Sequence, residues 1–155
     1  MFNPSSIPLH WAHRLSFLSR RQLSEIFRAA GYAVSAEEWA VLIYLWQREG
    51  PENATHTGPA DIADHTIRDR TTVTRLLDGM EKKGWVTRVL HPQDRRRFQV
   101  GLTDAGRGLQ HQLVPLAQTH MAKAFSGLDP HEIELANKVL RHMVENLMSP
   151  EKGAF

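Results

Sequence analysis

The stretch from Asp69 to Leu102, DRTTVTRLLDGMEKKGWVTRVLHPQDRRRFQVGL, decides the fold. Its first half reads as a helix. Asp69 is a residue type that accepts hydrogen bonds from the unpaired N–H groups of a helix start. Val73, Leu76, Leu77 and Met80 recur at helical spacing and define one apolar face. Thr71, Thr72, Thr74, Arg75 and Lys82 fall largely elsewhere, and Gly84 ends the run. The second half reads as a hairpin. Val86–Leu90 and Phe98–Leu102 are rich in β-branched and aromatic residues. Phe98, Val100 and Leu102 alternate with Gln99 and Gly101, the pattern of a half-buried strand. Between the strands, residues 91–97 are polar and become basic at Arg95, Arg96 and Arg97.

Immediately upstream, Pro59 suits the first position of a short helix running through Ile62 and Ala63 to about His65. A turn follows at Thr66 to Arg68. Short helix, turn, polar-faced helix and basic-tipped hairpin, in that order, make a winged helix-turn-helix. A DNA major groove about 12 Å wide admits one helix with its side chains. Such a helix needs small polar or arginine side chains in its first turns, and Arg70, Thr71, Thr72, Thr74 and Arg75 supply them. Threonine methyls can meet thymine methyls, and arginine can pair bidentately with guanine. Arg95, Arg96 and Arg97 at the tip are suited to an adjacent minor groove or its phosphates. Asp94 beside them suits pairing with one arginine and fixing its direction. The competing reading is a surface helix with a wet Thr and Arg face, which leaves the basic hairpin after it unexplained.

Outward from this unit the chain reads as helices. Trp11, Leu15, Leu18, Ile26 and Ala30 form a stripe from about Ile7, with Gly31 at its end. Ser35 and Glu38 form a capping-box pair opening a second helix, where Trp39, Leu42, Ile43 and Trp46 predict one buried face. Thr103 opens a helix to about Phe125 containing Pro115, where a kink is expected. Asp129, Pro130 and Glu132 open a last helix with a wide stripe from Ile133 to Leu147.

The 155 residues predict a single domain over 1–155, mostly α with a small β component. Apolar residues at 41% and charged residues at 23% exclude disordered and fibrous classes. No window approaches a membrane span, and the first residues do not read as a signal peptide. Cysteine is absent, which removes disulfides and thiol chemistry, and a cytoplasmic protein is expected. The net charge of +2 says little, but its distribution is uneven. From Arg68 to Arg107, ten basic residues against five acidic ones leave +5, while the rest of the chain is −3. Concentrated positive charge is expected of a phosphate-binding surface. A solvated charged face is the alternative.

The runs Asp69 to Arg88, Pro92 to Arg96 and Val100 to Gly106 together resemble the MarR family of bacterial transcriptional regulators. Asp94 and Arg96, followed by Leu102-Thr103 and Gly106, are similar to that family's wing signature. Two departures stand out: Arg97 replaces a commonly small residue, and the Pro51 to Thr57 loop is long. The resemblance covers essentially the whole chain. It implies a homodimer whose terminal helices, 7–31 and 104–148, pair across a two-fold axis. Residues 36–102 would form the winged helix-turn-helix lobe, binding double-stranded DNA at a palindromic operator. Arg96 would be the minor-groove arginine. It further implies repression relieved by a small aromatic or phenolic effector, with Trp11, Arg14 and Trp39 as candidate ligand residues. Against that reading, both tryptophans suit core or interface packing. No cofactor is expected. The nine histidines show no metal-ligand spacing, and no nucleophile elbow, phosphate loop or HExxH motif suggests an enzyme.

Overall fold

The computed structural model describes residues 3–49, 57–90 and 98–148. A 3-10 turn at Pro4–Ser6 precedes six helices and one hairpin among the described residues. These are α1 (Pro8–Ala29), α2 (Ala36–Arg48), α3 (Pro59–Thr66), α4 (Arg70–Lys82), β1 (Val86–Leu90), β2 (Phe98–Leu102), α5 (Asp104–Ala124) and α6 (Pro130–Met148). The strands pair antiparallel, with Val86 opposite Leu102 and Leu90 opposite Phe98. The winged-helix order expected from the sequence is therefore the order found.

Local hydrogen bonds explain the boundaries. At α2, Ser35 and Glu38 cap each other: the Ser35 side chain accepts from the Glu38 N–H at 3.1 Å, and the Glu38 carboxylate accepts from the Ser35 N–H at 2.9 Å. Asp129 and Glu132 repeat the pattern before α6. The Thr103 side chain accepts from the Gly106 N–H at 3.1 Å and opens α5. Three helices close with one turn geometry, in which the chain crosses into left-handed backbone. After α1, the Gly31 N–H donates to Arg28 O and Tyr32 N–H to Phe27 O. After α4, Gly84 and Trp85 donate likewise to Glu81 and Met80. After α3, Ile67 and Arg68 donate to Asp64 and Ala63. Glycine occupies the left-handed position at Gly31 (φ 88°) and Gly84 (φ 72°), but α3 places Ile67 there, at φ 52° and ψ 52°. A β-branched residue in this region costs about 1–3 kcal/mol.

The chain divides into two compact units, Met1–Ala117 and Gln118–Phe155. The first holds the core: Phe27 from α1, Val41, Leu42 and Leu45 from α2, Ile62 from α3, Val73, Leu77 and Met80 from α4, Val86 and Val100 from the hairpin, and Leu113 from α5. α2 departs from the single buried face expected of it. Val41, Leu42, Tyr44, Leu45 and Trp46 are all buried, because α1, α3, α4 and β2 pack around it. Phe98 also departs, standing 49% exposed at the end of a strand whose Val100 and Leu102 are buried. In the second unit, α6 has no buried residue among those described. Leu135, Val139, Leu140, Val144 and Leu147 are exposed along it.

Candidate nucleic-acid interface

Asp69 starts α4 with two bonds to one residue. Its carboxylate accepts from the Thr72 N–H at 2.8 Å and from the Thr72 hydroxyl at 2.6 Å. The hydroxyl, then the backbone N–H, hold the Asp69 carboxyl below the usual carboxylate range. Behind it, Val73, Leu77 and Met80 are buried against the lobe. That burial fixes which face turns outward. Arg70, Thr71, Thr74 and Arg75 are exposed together on the first turns of α4. The Thr74 hydroxyl donates back to the Arg70 carbonyl at 2.9 Å. Thr72, expected among them, is half-buried and its hydroxyl is taken by Asp69. Asp94, Arg95, Arg96 and Arg97 at the wing tip lie outside the described residues.

The wing is held to α4 at its root. On β1, Arg88 donates to Asp78 at 2.6 Å and to the Thr74 carbonyl at 3.3 Å, with Glu81 at 3.9 Å. The Trp85 carbonyl accepts from the Thr103 N–H at 3.1 Å, and the Gly84 carbonyl from the Thr103 hydroxyl at 2.6 Å. Gly106 makes this approach possible: a Cβ there would lie 2.0 Å from the Trp85 carbonyl oxygen. Its own carbonyl accepts from the Trp46 indole N–H at 3.1 Å, joining α5 to α2.

The basic count from the sequence overstates the free positive charge. Of the seven described basic residues between Arg68 and Arg107, four are in ion pairs. Arg68 turns to Glu37, Lys83 to the buried Glu38, Arg88 to Asp78, and Arg107 to Glu49. Lys83 also donates to the Ala33 carbonyl at 2.8 Å and sits 4.5 Å from the Trp85 ring centroid. Arg70, Arg75 and Lys82 have no ion-pair partner among the described residues. Two of these three lie on the outward face of α4. Sequence reasoning did not single out Arg88 or Lys83, because their partners are distant in the chain or on another element. His65 stacks on Tyr44 with ring centroids 4.2 Å apart.

The three candidate ligand residues do not share a ring contact among the described residues. Trp39 packs between Phe27 and Trp46, at 5.0 and 5.6 Å between centroids. Trp11 is 54% exposed, its indole N–H donating to the Ser5 carbonyl at 2.9 Å, and Arg14 is exposed. A groove of about 470 Å³ lies between α1 and the start of α2, lined by His13, Phe17, Arg20, Arg21 and Glu37 among others. Glu37 there accepts from Arg20 of α1 and from Arg68 of the α3–α4 turn. Among the described residues, no cluster of three or more His, Asp or Glu could hold a metal ion, and no helix is long and apolar enough to cross a membrane.

A helix-turn-helix with an outward Arg and Thr face, braced by an antiparallel hairpin, defines a winged-helix DNA-binding protein. The MarR family profile matches residues 34–98. The transcriptional regulator PecS of Dickeya dadantii is 30% identical over 140 residues, covering 86% of this chain and 80% of PecS. Named repressors are also among the relatives. The fold matches Staphylococcus aureus MepR from a DNA complex, at TM-score 0.78 and 21% identity over 94% of this chain and 100% of that one. It also matches Bordetella bronchiseptica BpsR, from a structure concerned with regulation of its DNA binding by 6-hydroxynicotinic acid, at TM-score 0.77 and 23% identity over 93% and 97%. The chain belongs to the MarR family. It is a DNA-binding transcriptional regulator, of a family of regulators and not of enzymes.

Proposed function

We propose that the protein is a homodimeric repressor that binds a palindromic operator in the cytoplasm and leaves it when a small aromatic or phenolic effector binds. Residues 36–102 act as the DNA-binding lobe, and 7–31 with 104–148 as the dimerisation helices. The observation that carries the reading is the outward cluster of Arg70, Thr71, Thr74 and Arg75 on a helix whose other face is buried. Arg75 and Arg70 serve as candidate base or phosphate contacts, with Thr72 contributing its methyl. Asp94, Arg95, Arg96 and Arg97 form the wing contact, Arg96 entering the minor groove. Exposed apolar side chains on α1 and α6 support the dimer. The effector reading draws on BpsR and on the groove between α1 and α2, near Trp11 and Arg14 on the same helix. Trp39 contributes through packing.

Binding is tested on a duplex selected by the purified protein from random sequence, compared with unselected DNA. Arg75→Ala should weaken the selected duplex by about 1–3 kcal/mol and unselected DNA by less. Arg96→Ala should lower the slope of log affinity against log salt by about one. Equal losses for Arg75→Ala on both DNAs would reassign it to phosphate, and wild-type binding by both variants would overturn the interface.

A further inference from the structure

Ile67 is the only non-glycine residue with positive φ among those described. It sits in the turn between α3 and α4, two residues before the cap residue Asp69. The same helix-closing turn elsewhere in this chain uses glycine, at Gly31 and Gly84. Glycine takes that backbone without a clash, and asparagine tolerates it far better than isoleucine. The fold therefore gains nothing from isoleucine at this backbone position.

Burial does not compensate for the strain. Ile67 is 74% exposed, more than any other large apolar residue described except Leu147. Its neighbour shows the reverse arrangement. Arg68 is half-buried and pairs with the partly exposed Glu37 at 3.4 Å. At this turn the aliphatic side chain is the more exposed of the two and the arginine the less. A strained backbone held at a side chain that packs on nothing in its own chain points to a role for that side chain outside the chain.

We infer that Ile67 is a DNA-contact residue, packing its aliphatic side chain against the apolar part of the duplex at the edge of the groove that α4 enters. This rests on the reading of α4 as the groove helix. The apolar chemistry available on DNA is the deoxyribose face and the thymine C5 methyl. The residue is adjacent in sequence to the first turn of α4, whose outward residues are Arg70 and Thr71.

The test uses full-length protein and a duplex selected from random sequence. Ile67→Asn should unfold at the wild-type temperature or above it, and should bind the duplex about tenfold more weakly. Ile67→Leu should retain most of the affinity, because the apolar surface is kept. Replacing thymine by uracil in the duplex separates the two DNA surfaces. If wild type weakens on uracil while Ile67→Asn does not, the methyl is the partner; if neither weakens, the sugar is. Arg75→Ala is the reference for the groove helix. If Arg75→Ala binds weakly and Ile67→Asn binds as wild type, this inference is overturned and the α4 reading stands. If Arg75→Ala also binds as wild type, the α4 reading fails with it.

Discussion

Asp69 shows how much one cap residue controls. Its carboxylate receives two hydrogen bonds from Thr72, and both favour the charged form, so its folded pKa lies below the usual carboxylate value of about 4. A depressed folded pKa gives stability that is present above the ordinary value and is lost as pH falls through the folded one. Asp69→Ala should therefore unfold at a lower temperature than wild type at neutral pH. The gap should close as pH drops below about 4. Thermal unfolding followed across that range checks it, and a gap independent of pH would mean that charge is not what Asp69 contributes. The cap was legible in the sequence, because Asp before a helical stripe has few other uses. The fate of Thr72 was not. A threonine three residues after an aspartate reads the same whether its hydroxyl faces DNA or turns back to the cap. Nor were the ion pairs of Arg68 with Glu37, Lys83 with Glu38 and Arg107 with Glu49 legible, since these partners lie 31, 45 and 58 residues away.

At the scale of elements, what could be read depended on how local its cause is. The capping boxes at Ser35 and Asp129 and both strands follow from a few adjacent residues, and all appear as expected. The burial of α2 depends on what surrounds it, which periodicity alone does not report. Gly106 is a second case of distant cause. It begins the turn of α5 that lies against Trp85, and nothing in its own neighbourhood of sequence demands the close approach. A methyl at this position would meet backbone, which cannot swing aside as a side chain can. Gly106→Ala should thus destabilise the first unit by about 1–3 kcal/mol. For a chain of this size that lowers the unfolding temperature by about 2–4 °C per kcal/mol. An unchanged transition in calorimetry would show that the wing root tolerates the shift. The wing itself should loosen too, so operator affinity is expected to fall beyond what the stability loss explains.

For the whole molecule, the unburied surface is as informative as the core. Leu9, Trp11, Leu15, Phe17 and Leu18 are exposed on α1, and α6 exposes its stripe along its length. Surfaces of this kind mark interfaces. The protein should sediment as a dimer at micromolar concentration, and Leu140→Glu with Val144→Glu should shift it towards monomer while leaving the winged-helix lobe folded. A monomeric wild type in analytical ultracentrifugation would remove the proposed assembly. The stripes were visible in the sequence as helical periodicity, but that pattern does not distinguish a helix covered by its own chain from one left bare.

The bareness of α6 also bears on dosage. In the proposed dimer α6 would be buried by the partner chain, so its burial would be second order in chain concentration where the core's is first order. Halving the number of chains per cell near the dissociation constant would cut the assembled form by more than half. The supply of the proposed dimer would then respond to expression more steeply than the number of chains does, at most as its square.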